Sequence, residues 1–247
     1  MTKSKAALPA SQPGATGDGT VAERAGWSFG GQTPKHFDRH VRRSVPFYEA
    51  GHGLVAQISD YFVRHDTVAY EIGSSTGTLV RELARRHPKA RWVGIEAEGA
   101  MIEQARDPQY EAPKNLEYLH ADALDVDLQP SDFMVSYYTV QFIPPKRRQV
   151  LIDRIYSSLN WGGAFLLFEK VRAPDARFQD LMSTLYTEFK LESGYTPAEI
   201  VSKASSLKGV LEPFSTQGNL DMLQRAGFVD VMTIFKHVCF EGFLAIK

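Results

Sequence analysis

One stretch of this chain constrains its fold more than any other. Residues 67–72, Thr67-Val-Ala-Tyr-Glu-Ile72, have the apolar, β-branched and aromatic content of a buried strand, and they run straight into five small residues, Gly73-Ser-Ser-Thr-Gly77. Residues 78–86 then place Leu79, Val80 and Leu83 at helical spacing. A strand, a glycine turn and a helix in immediate succession make the first half of a βαβ unit, whose next strand lies parallel to the first.

The alternation continues downstream. Residues 91–95 read as a second strand ending at Glu96, and 100–106 as a helix. Residues 116–119 form a third strand, followed by His120-Ala-Asp-Ala123. Residues 133–138 are a fourth strand, 146–159 a helix that Asn160-Trp-Gly-Gly163 is expected to cap, and 164–169 a fifth strand. The rhythm predicts an α/β fold, a Rossmann-like, doubly wound, mostly parallel sheet. Residues 173–212 are helical in composition and break the alternation, so they are expected to form a helical insertion over the active edge. A helix at 220–226 stopped by Gly227 and two last strands at 229–236 and 239–246, joined as a hairpin, complete the expected order.

Upstream, residues 1–25 are mainly Ala, Gly, Ser, Thr and Pro, which bury too little surface to offset their ordering entropy; a disordered tail is expected there, with the domain over 26–247. Residues 50–64 carry Leu54, Val55, Ile58, Tyr61 and Phe62 at helical spacing, and Pro46 marks a helix boundary before them. A formal net charge of -1 gives no general electrostatic attraction to nucleic acid, so none is expected as a partner. The single cysteine, Cys239, rules out an intrachain disulfide. No apolar run reaches the ~20 residues that span a bilayer, and the first residues lack the apolar core of a signal peptide, so the expectation is a cytoplasmic protein without a membrane partner. A homodimer is compatible with all of this.

Three sites carry the chemistry, one at the end of each of the first three strands. The first is Glu71-Ile-Gly73-Ser74-Ser75-Thr-Gly77. Glycine lets the backbone approach a ligand closely, and the turn sits where open α/β sheets bind ligands. The spacing Gly-x-x-x-Gly behind an acidic residue differs from the dinucleotide fingerprint and favours a nucleoside with an amino-acid tail; an ordinary strand-helix turn remains the bland alternative. The second is Glu96-Ala97, with Glu96 19 positions after Gly77, where a carboxylate can accept from both ribose hydroxyls. A surface acid in a loop would also read this way. The third is Asp122-Ala123, an acceptor for the adenine amine beside a backbone donor for a ring nitrogen, or equally a helix N-cap or Asx turn. Read together, in this order, the three build one nucleoside pocket.

That arrangement resembles the class I S-adenosylmethionine-dependent methyltransferases over residues 65–170 and the last strands. A narrower resemblance covers about 27–247. Trp27-Ser-Phe29, Arg43-Ser-Val-Pro46-x-Tyr48, Tyr138-Thr-Val-Gln141-Phe142, Leu159-Asn-x-Gly-Gly163, Glu169-Lys170, Ser193-Gly194-Tyr195 and Ala226-Gly-Phe228 look like the carboxy-S-adenosylmethionine synthases, which convert S-adenosylmethionine and prephenate into a carboxymethyl sulfonium used in tRNA wobble-uridine modification. The resemblance implies S-adenosyl-L-methionine as cofactor, with Tyr48, Glu71, Gly73, Ser74, Ser75, Gly77, Glu96, Ala97, Asp122, Ala123 and Tyr137 around it. The chain departs from that family at three places. The arginine that grips the extra carboxylate is matched by Ala204, with Lys203 beside it but expected to point elsewhere; an asparagine is matched by Tyr137; and the ribose acid is Glu96 rather than aspartate. Lysine does not replace a bidentate arginine.

The sequence therefore leads to methyl transfer from S-adenosylmethionine to a small-molecule acceptor, with the insertion at 173–212 supplying most acceptor contacts. Carboxy-S-adenosylmethionine synthesis is the alternative, and a non-catalytic cofactor-binding protein a third. No catalytic residue and no metal site is singled out. Tyr48, Tyr137, Tyr138 and Tyr195 are candidates to face a sulfonium cation, or plain core aromatics. His40 and His120 are candidate bases or structural histidines. Glu169-Lys170 either steers substrate or forms a surface salt bridge, and Arg42-Arg43, Arg85-Arg86 and Lys146-Arg147-Arg148 read as solvated faces.

Overall fold

The computed structural model describes residues 13–247. Its centre is one seven-stranded sheet in the order β5-β4-β3-β6-β7-β9-β8. The strands are β3 (Val68–Ile72), β4 (Arg91–Glu96), β5 (Leu116–His120), β6 (Ser131–Tyr137), β7 (Leu159–Lys170), β8 (Asp230–His237) and β9 (Phe240–Ile246). The first five are parallel neighbours, and β9 runs antiparallel between β7 and β8. After β5 the chain crosses back over β3 to lay down β6, so the strand order reverses between β3 and β6. That reversal opens a crevice at the carboxyl ends of the strands.

Both faces of the sheet are covered, and the strands show why. In β6, Phe133, Val135 and Tyr137 point into one apolar cluster and Met134 into the other. The first cluster takes Val55 of α2 (Tyr48–Phe62) and Leu79, Val80 and Leu83 of α3 (Thr78–Arg86). The second takes Leu151, Ile152 and Ile155 of α5 (Pro145–Ser158) and Met222 and Leu223 of α8 (Thr216–Ala226). The predicted α/β architecture is present, with its parallel strands, final antiparallel hairpin and helices on either side.

Three local expectations change. The tail expected over 1–25 contains a hairpin, β1 (Gly14–Gly17) with β2 (Thr20–Ala22); its first 12 residues lie outside the described residues. The hairpin has little core of its own and is held by tertiary contacts that a composition argument cannot see: Ala25 and Trp27 donate backbone hydrogen bonds to Ser205 and Ser206 at the end of α7 (Pro197–Ser206). Asn160–Gly163 do not cap α5. They open β7, because Ser131 pairs with Leu159 and the Gly162 N–H donates to the Lys247 carbonyl at 2.7 Å. Arg148 is buried rather than solvated, its guanidinium donating to the carbonyls of Ile143 and Gln141 at 2.7 and 2.9 Å and lying over Phe214.

The segment 173–212 holds α6 (Ala176–Glu192) and α7, which lie over the carboxyl edge. α6 buries none of its residues in the core; Met182, Tyr186 and Lys190 form a stripe at i, i+4 and i+8 that faces the crevice. α1 (Thr33–Ser44) also lines the crevice, and the Tyr186 hydroxyl of α6 donates to its Ser44 carbonyl at 2.8 Å.

Candidate functional site

The crevice is a cavity of about 880 Å³. Of the residues expected around a cofactor, Tyr48, Glu71, Gly73, Ser74, Ser75, Glu96, Ala97, Asp122, Ala123 and Tyr137 all line it. Gly77 does not. It precedes α3 with φ +77, and a Cβ there would lie 2.3 Å from the Tyr118 hydroxyl oxygen, so its role is to let the helix start against β5.

The turn after β3 is held from two sides. Gly73 and Ser74 donate backbone hydrogen bonds to the Ile95 carbonyl at 2.8 and 2.9 Å. The Glu96 carboxylate accepts from the backbone N–H of Ser75 at 2.8 Å and, through its other oxygen, from that of Glu98 at 2.9 Å. From α1, the Asp38 carboxylate accepts from the Thr76 hydroxyl at 2.6 Å. Gly73, at φ +77, has no room for a side chain because Thr139 Cγ2 would sit 2.2 Å from it.

Burial dominates the charges at this end. It pushes the carboxyl of Glu71 well above the ordinary carboxylate range and raises that of Glu96 despite its backbone hydrogen bonds. Glu71 Oε2 and Ser74 Oγ are buried without a hydrogen-bond partner among the described residues. Orphaned polar groups of this kind are rare in a folded chain, and a cationic, hydrogen-donating ligand such as the ammonium of an amino-acid tail would pair with Glu71 and favour its ionised form. The carboxylate at Glu96, with four acceptor positions and two in use, can still take ribose hydroxyls. Asp122 behaves as an Asx turn, accepting from the Leu124 N–H at 2.9 Å, and pairs with Arg147 at 3.1 Å, yet it still borders the cavity with Ala123.

The aromatic wall is partly as expected. Tyr48, Tyr137, Tyr138 and Tyr195 all line the cavity. The Tyr137 hydroxyl donates to the Tyr48 carbonyl at 2.7 Å, and Gly51 makes room for it, since a Cβ there would be 2.0 Å from that oxygen. Tyr195 donates to Asp18 at 2.7 Å. Asp18 also accepts from Arg43, at 2.6 Å, and lies 3.0 Å from His40 Nδ1. Although burial opposes it, the hydrogen bonds from Tyr195, Arg43 and His40 hold the Asp18 carboxyl below its ordinary value. Burial first, then the nearby charge of Lys203, holds His40 down to about 4. A neutral histidine tied into this network is a fastener for the N-terminal hairpin. His120, 3.1 Å from the Ala97 carbonyl, is exposed and structural.

Two expectations are corrected here. Lys203 does not point elsewhere: Ile200, Lys203, Ala204 and Leu207 make one i, i+3, i+4, i+7 stripe of and just beyond α7, and all four line the cavity. Glu169-Lys170 is no surface salt bridge, because Glu169 is buried and Lys170 lines the cavity. Sequence reasoning missed Trp27, Asp38 and Lys190 as site residues. Lys190 carried one weak signal, its spacing of four from Tyr186, but a lysine on an amphipathic helix reads as solvated until the helix is placed.

Comparison with known proteins places this geometry. Residues 69–163 match the family model described as a methyltransferase domain. The carboxy-S-adenosyl-L-methionine synthase of Staphylococcus epidermidis is 36% identical over 223 residues, covering 90% of this chain and 97% of that protein. That of Nautilia profundicola is 35% identical over 221 residues, covering 90% and 94%. Among solved structures, an O-methyltransferase family protein from Burkholderia thailandensis superposes with a TM-score of 0.64 at 15% identity, covering 87% of this chain and 60% of that one. Human N-acetylserotonin methyltransferase, solved in complex with S-adenosylmethionine, gives 0.59 at 16% identity, covering 87% and 56%. These two show the shared fold. By its sequence over nearly its whole length, the chain belongs to the carboxy-S-adenosyl-L-methionine synthase family and is an S-adenosylmethionine-dependent enzyme of the methyltransferase class.

Proposed function

We propose that the enzyme transfers the methyl group of S-adenosylmethionine to a small-molecule acceptor held beneath α6 and α7. One observation carries the reading: Glu71, Glu96 and Asp122, from three strand ends, border a single cavity together with the Gly73–Ser75 turn. We take Ala204 to match the relatives' carboxylate-gripping arginine, as the resemblance implies.

S-adenosylmethionine supplies a methyl carbon already activated by a positively charged sulfur. The chain's own task is therefore placement and exclusion of water, which supplies much of the rate in such a reaction. Glu71 is suited to hold the amino-acid tail, Glu96 and Ala97 the ribose, and Asp122 and Ala123 the adenine. Tyr48 and Tyr138 offer ring faces to the sulfonium. Tyr186, Met182 and Phe240 wall the remaining volume, where an acceptor would lie. A cytoplasmic location and action as a homodimer belong to the same proposal, and so does the absence of nucleic acid among the acceptors.

Family membership favours a second reading, carboxy-S-adenosylmethionine synthesis from prephenate. Incubating the protein with S-adenosylmethionine and prephenate and analysing the mixture by mass spectrometry decides between them. No carboxymethyl sulfonium is expected, either in the mixture or carried through purification. Turnover to that product would make the enzyme a synthase like its relatives.

A further inference from the structure

The pleat of β6 breaks where the strand ends. Phe133, Val135 and Tyr137 point to one side of the sheet and Met134 to the other, so Tyr138 should return to the side of Met134. It lies instead in the apolar cluster that holds Tyr137. The cause is its backbone. Tyr138 has φ +59, in the left-handed region, where a bulky residue with a Cβ is strained. That conformation reverses the alternation and brings the residue to the crevice wall. Its ring centroid lies 4.7 Å from that of Tyr137 and 5.6 Å from that of Phe240. Tyr137 in turn packs on Tyr48, and Phe240 on Tyr186, so Tyr138 stands where these two aromatic pairs meet.

A strained residue persists only where its surroundings hold it. The Tyr138 N–H donates to the Phe168 carbonyl of β7 at 2.8 Å. The Tyr138 carbonyl accepts from Gln141 Nε2 at 3.1 Å. The other end of the same amide, Gln141 Oε1, accepts from the Lys170 N–H at 2.8 Å. Gln141 is buried, lines the cavity and spends both ends of its side chain on backbone, tying the strained residue to the end of β7. Between them, the Thr139 hydroxyl donates to the Gly73 carbonyl at 3.4 Å, so the same loop also braces the turn after β3. A glycine at 138 would take this conformation without strain. A tyrosine kept there, with a buried amide to hold it, argues for a use of the ring.

We infer that Gln141 is a positioning residue: it clamps Tyr138 in the left-handed conformation that presents the ring to the sulfonium of S-adenosylmethionine. The inference rests on S-adenosylmethionine as the ligand, which methyl transfer and carboxy-S-adenosylmethionine synthesis share. An electron-rich ring face favours the cationic cofactor over its neutral counterpart, S-adenosylhomocysteine. On the ordinary pleat the ring would face α5 and α8 instead, away from the cavity. With the amide removed, the loop is free to relax toward ordinary dihedrals and withdraw the ring, and the preference for the charged cofactor goes with it.

Calorimetry on the full chain with S-adenosylmethionine and with S-adenosylhomocysteine gives the ratio of the two affinities, which reads the contact between ring and charge. Tyr138→Gly accepts the left-handed backbone and removes the ring. It should lower the preference for the sulfonium roughly fivefold, the worth of one aromatic face beside a cation. Gln141→Met keeps the bulk, removes both amide hydrogen bonds and should lower the ratio by a comparable factor. The two losses should not add: in the Tyr138→Gly background, Gln141→Met should change the ratio no further. A glutamine that only stiffens the fold would lower both affinities together and leave the ratio in place. Should Gln141→Met not fold, Gln141→Asn, whose shorter amide cannot reach both backbone partners, takes its place with the same expectations. An unchanged ratio in a folded Gln141 variant, or fully additive losses, overturns the clamp while leaving the cofactor reading intact. A wild-type chain that binds neither compound defeats the cofactor reading, and the ring's role with it.

Discussion

The Glu96 carboxylate accepts a hydrogen bond from the Ser75 backbone N–H at 2.8 Å, so the end of the second parallel strand fixes the turn that leaves the first. The residue proposed to hold the ribose therefore also fixes this turn. Glu96→Ala should weaken S-adenosylhomocysteine binding by roughly 1.5–3 kcal/mol, the usual worth of a hydrogen bond to a charged group. Part of that loss should come from a loosened turn, visible as faster amide exchange at Ser75. Calorimetry showing unchanged affinity in a folded variant would remove Glu96 from the site.

Gly73→Ala should damage the site more than its size suggests. A left-handed backbone costs a non-glycine residue roughly 1–2 kcal/mol, and here the new Cβ would also meet Thr139 at 2.2 Å. Gly162→Ala is the control, because Gly162 has φ +75 but an added Cβ would meet no non-neighbouring atom of the described residues within 4 Å. The midpoint of thermal unfolding should fall further for Gly73→Ala, and only that variant should lose cofactor affinity.

Acid should destabilise the fold through its buried histidines. Burial holds His52 down to about 4, as it does His40, against an ordinary value of 6.5. Between pH 4 and 6.5 the unfolded chain binds more protons than the native one, so stability rises with pH across that window and is lost as pH falls through it. Glu71 and Glu96, raised by burial, titrate in the opposite sense, so the measurement is a difference. His52 packs against Tyr48 and Tyr137 with ring centroids 4.5 and 4.7 Å away, and its Nε2 has no hydrogen-bond partner among the described residues. His52→Phe should keep the packing and flatten the acid limb by up to one proton, about 1.4 kcal/mol per pH unit. Identical acid limbs for the two proteins in urea titrations would refute the assignment.

Asp18→Asn should release the N-terminal hairpin. The Asp18 side chain is almost wholly buried, but its Arg43 partner is about one-third exposed, at 32%. The cost should fall near 3 kcal/mol, the lower end for a broken buried pair. Limited proteolysis should cut the variant first before Trp27, with the sheet core intact.

Ala204→Arg tests the proposed departure from the relatives' pattern. If the missing guanidinium alone separates this chain from them, the variant should gain affinity for carboxy-S-adenosylmethionine. If Tyr137, anchored on the Tyr48 carbonyl, also blocks the space, the gain should require Tyr137→Asn as well. Calorimetry with the single and double variants reads the difference.

Much of this protein was legible in the sequence, because its signals are local or repeat at short range. The short apolar runs of the parallel strands, buried on both faces, and the 3.6-period faces of α3 and α5 set the elements. The glycines of the turn report backbone dihedrals, and the spacing from Gly77 to Glu96 reflects the length of one helix and one strand. Ten of the eleven residues expected at a cofactor line one cavity for these reasons. Tertiary structure decided what depends on distant partners. Gly14–Ala22 is a hairpin because α7 lies against it, and Arg148 is buried because Gln141 and Ile143 offer carbonyls. Asn160–Gly163 join a strand because Ser131 pairs with Leu159 just before them and Lys247 exchanges backbone hydrogen bonds with Gly162 and Gly163. Lys170, Lys190 and Lys203 come from one strand and two helices, each an ordinary charged residue along its own segment. Their convergence on one wall follows from the placement of α6 and α7 over the sheet edge, a long-range arrangement that no local periodicity encodes.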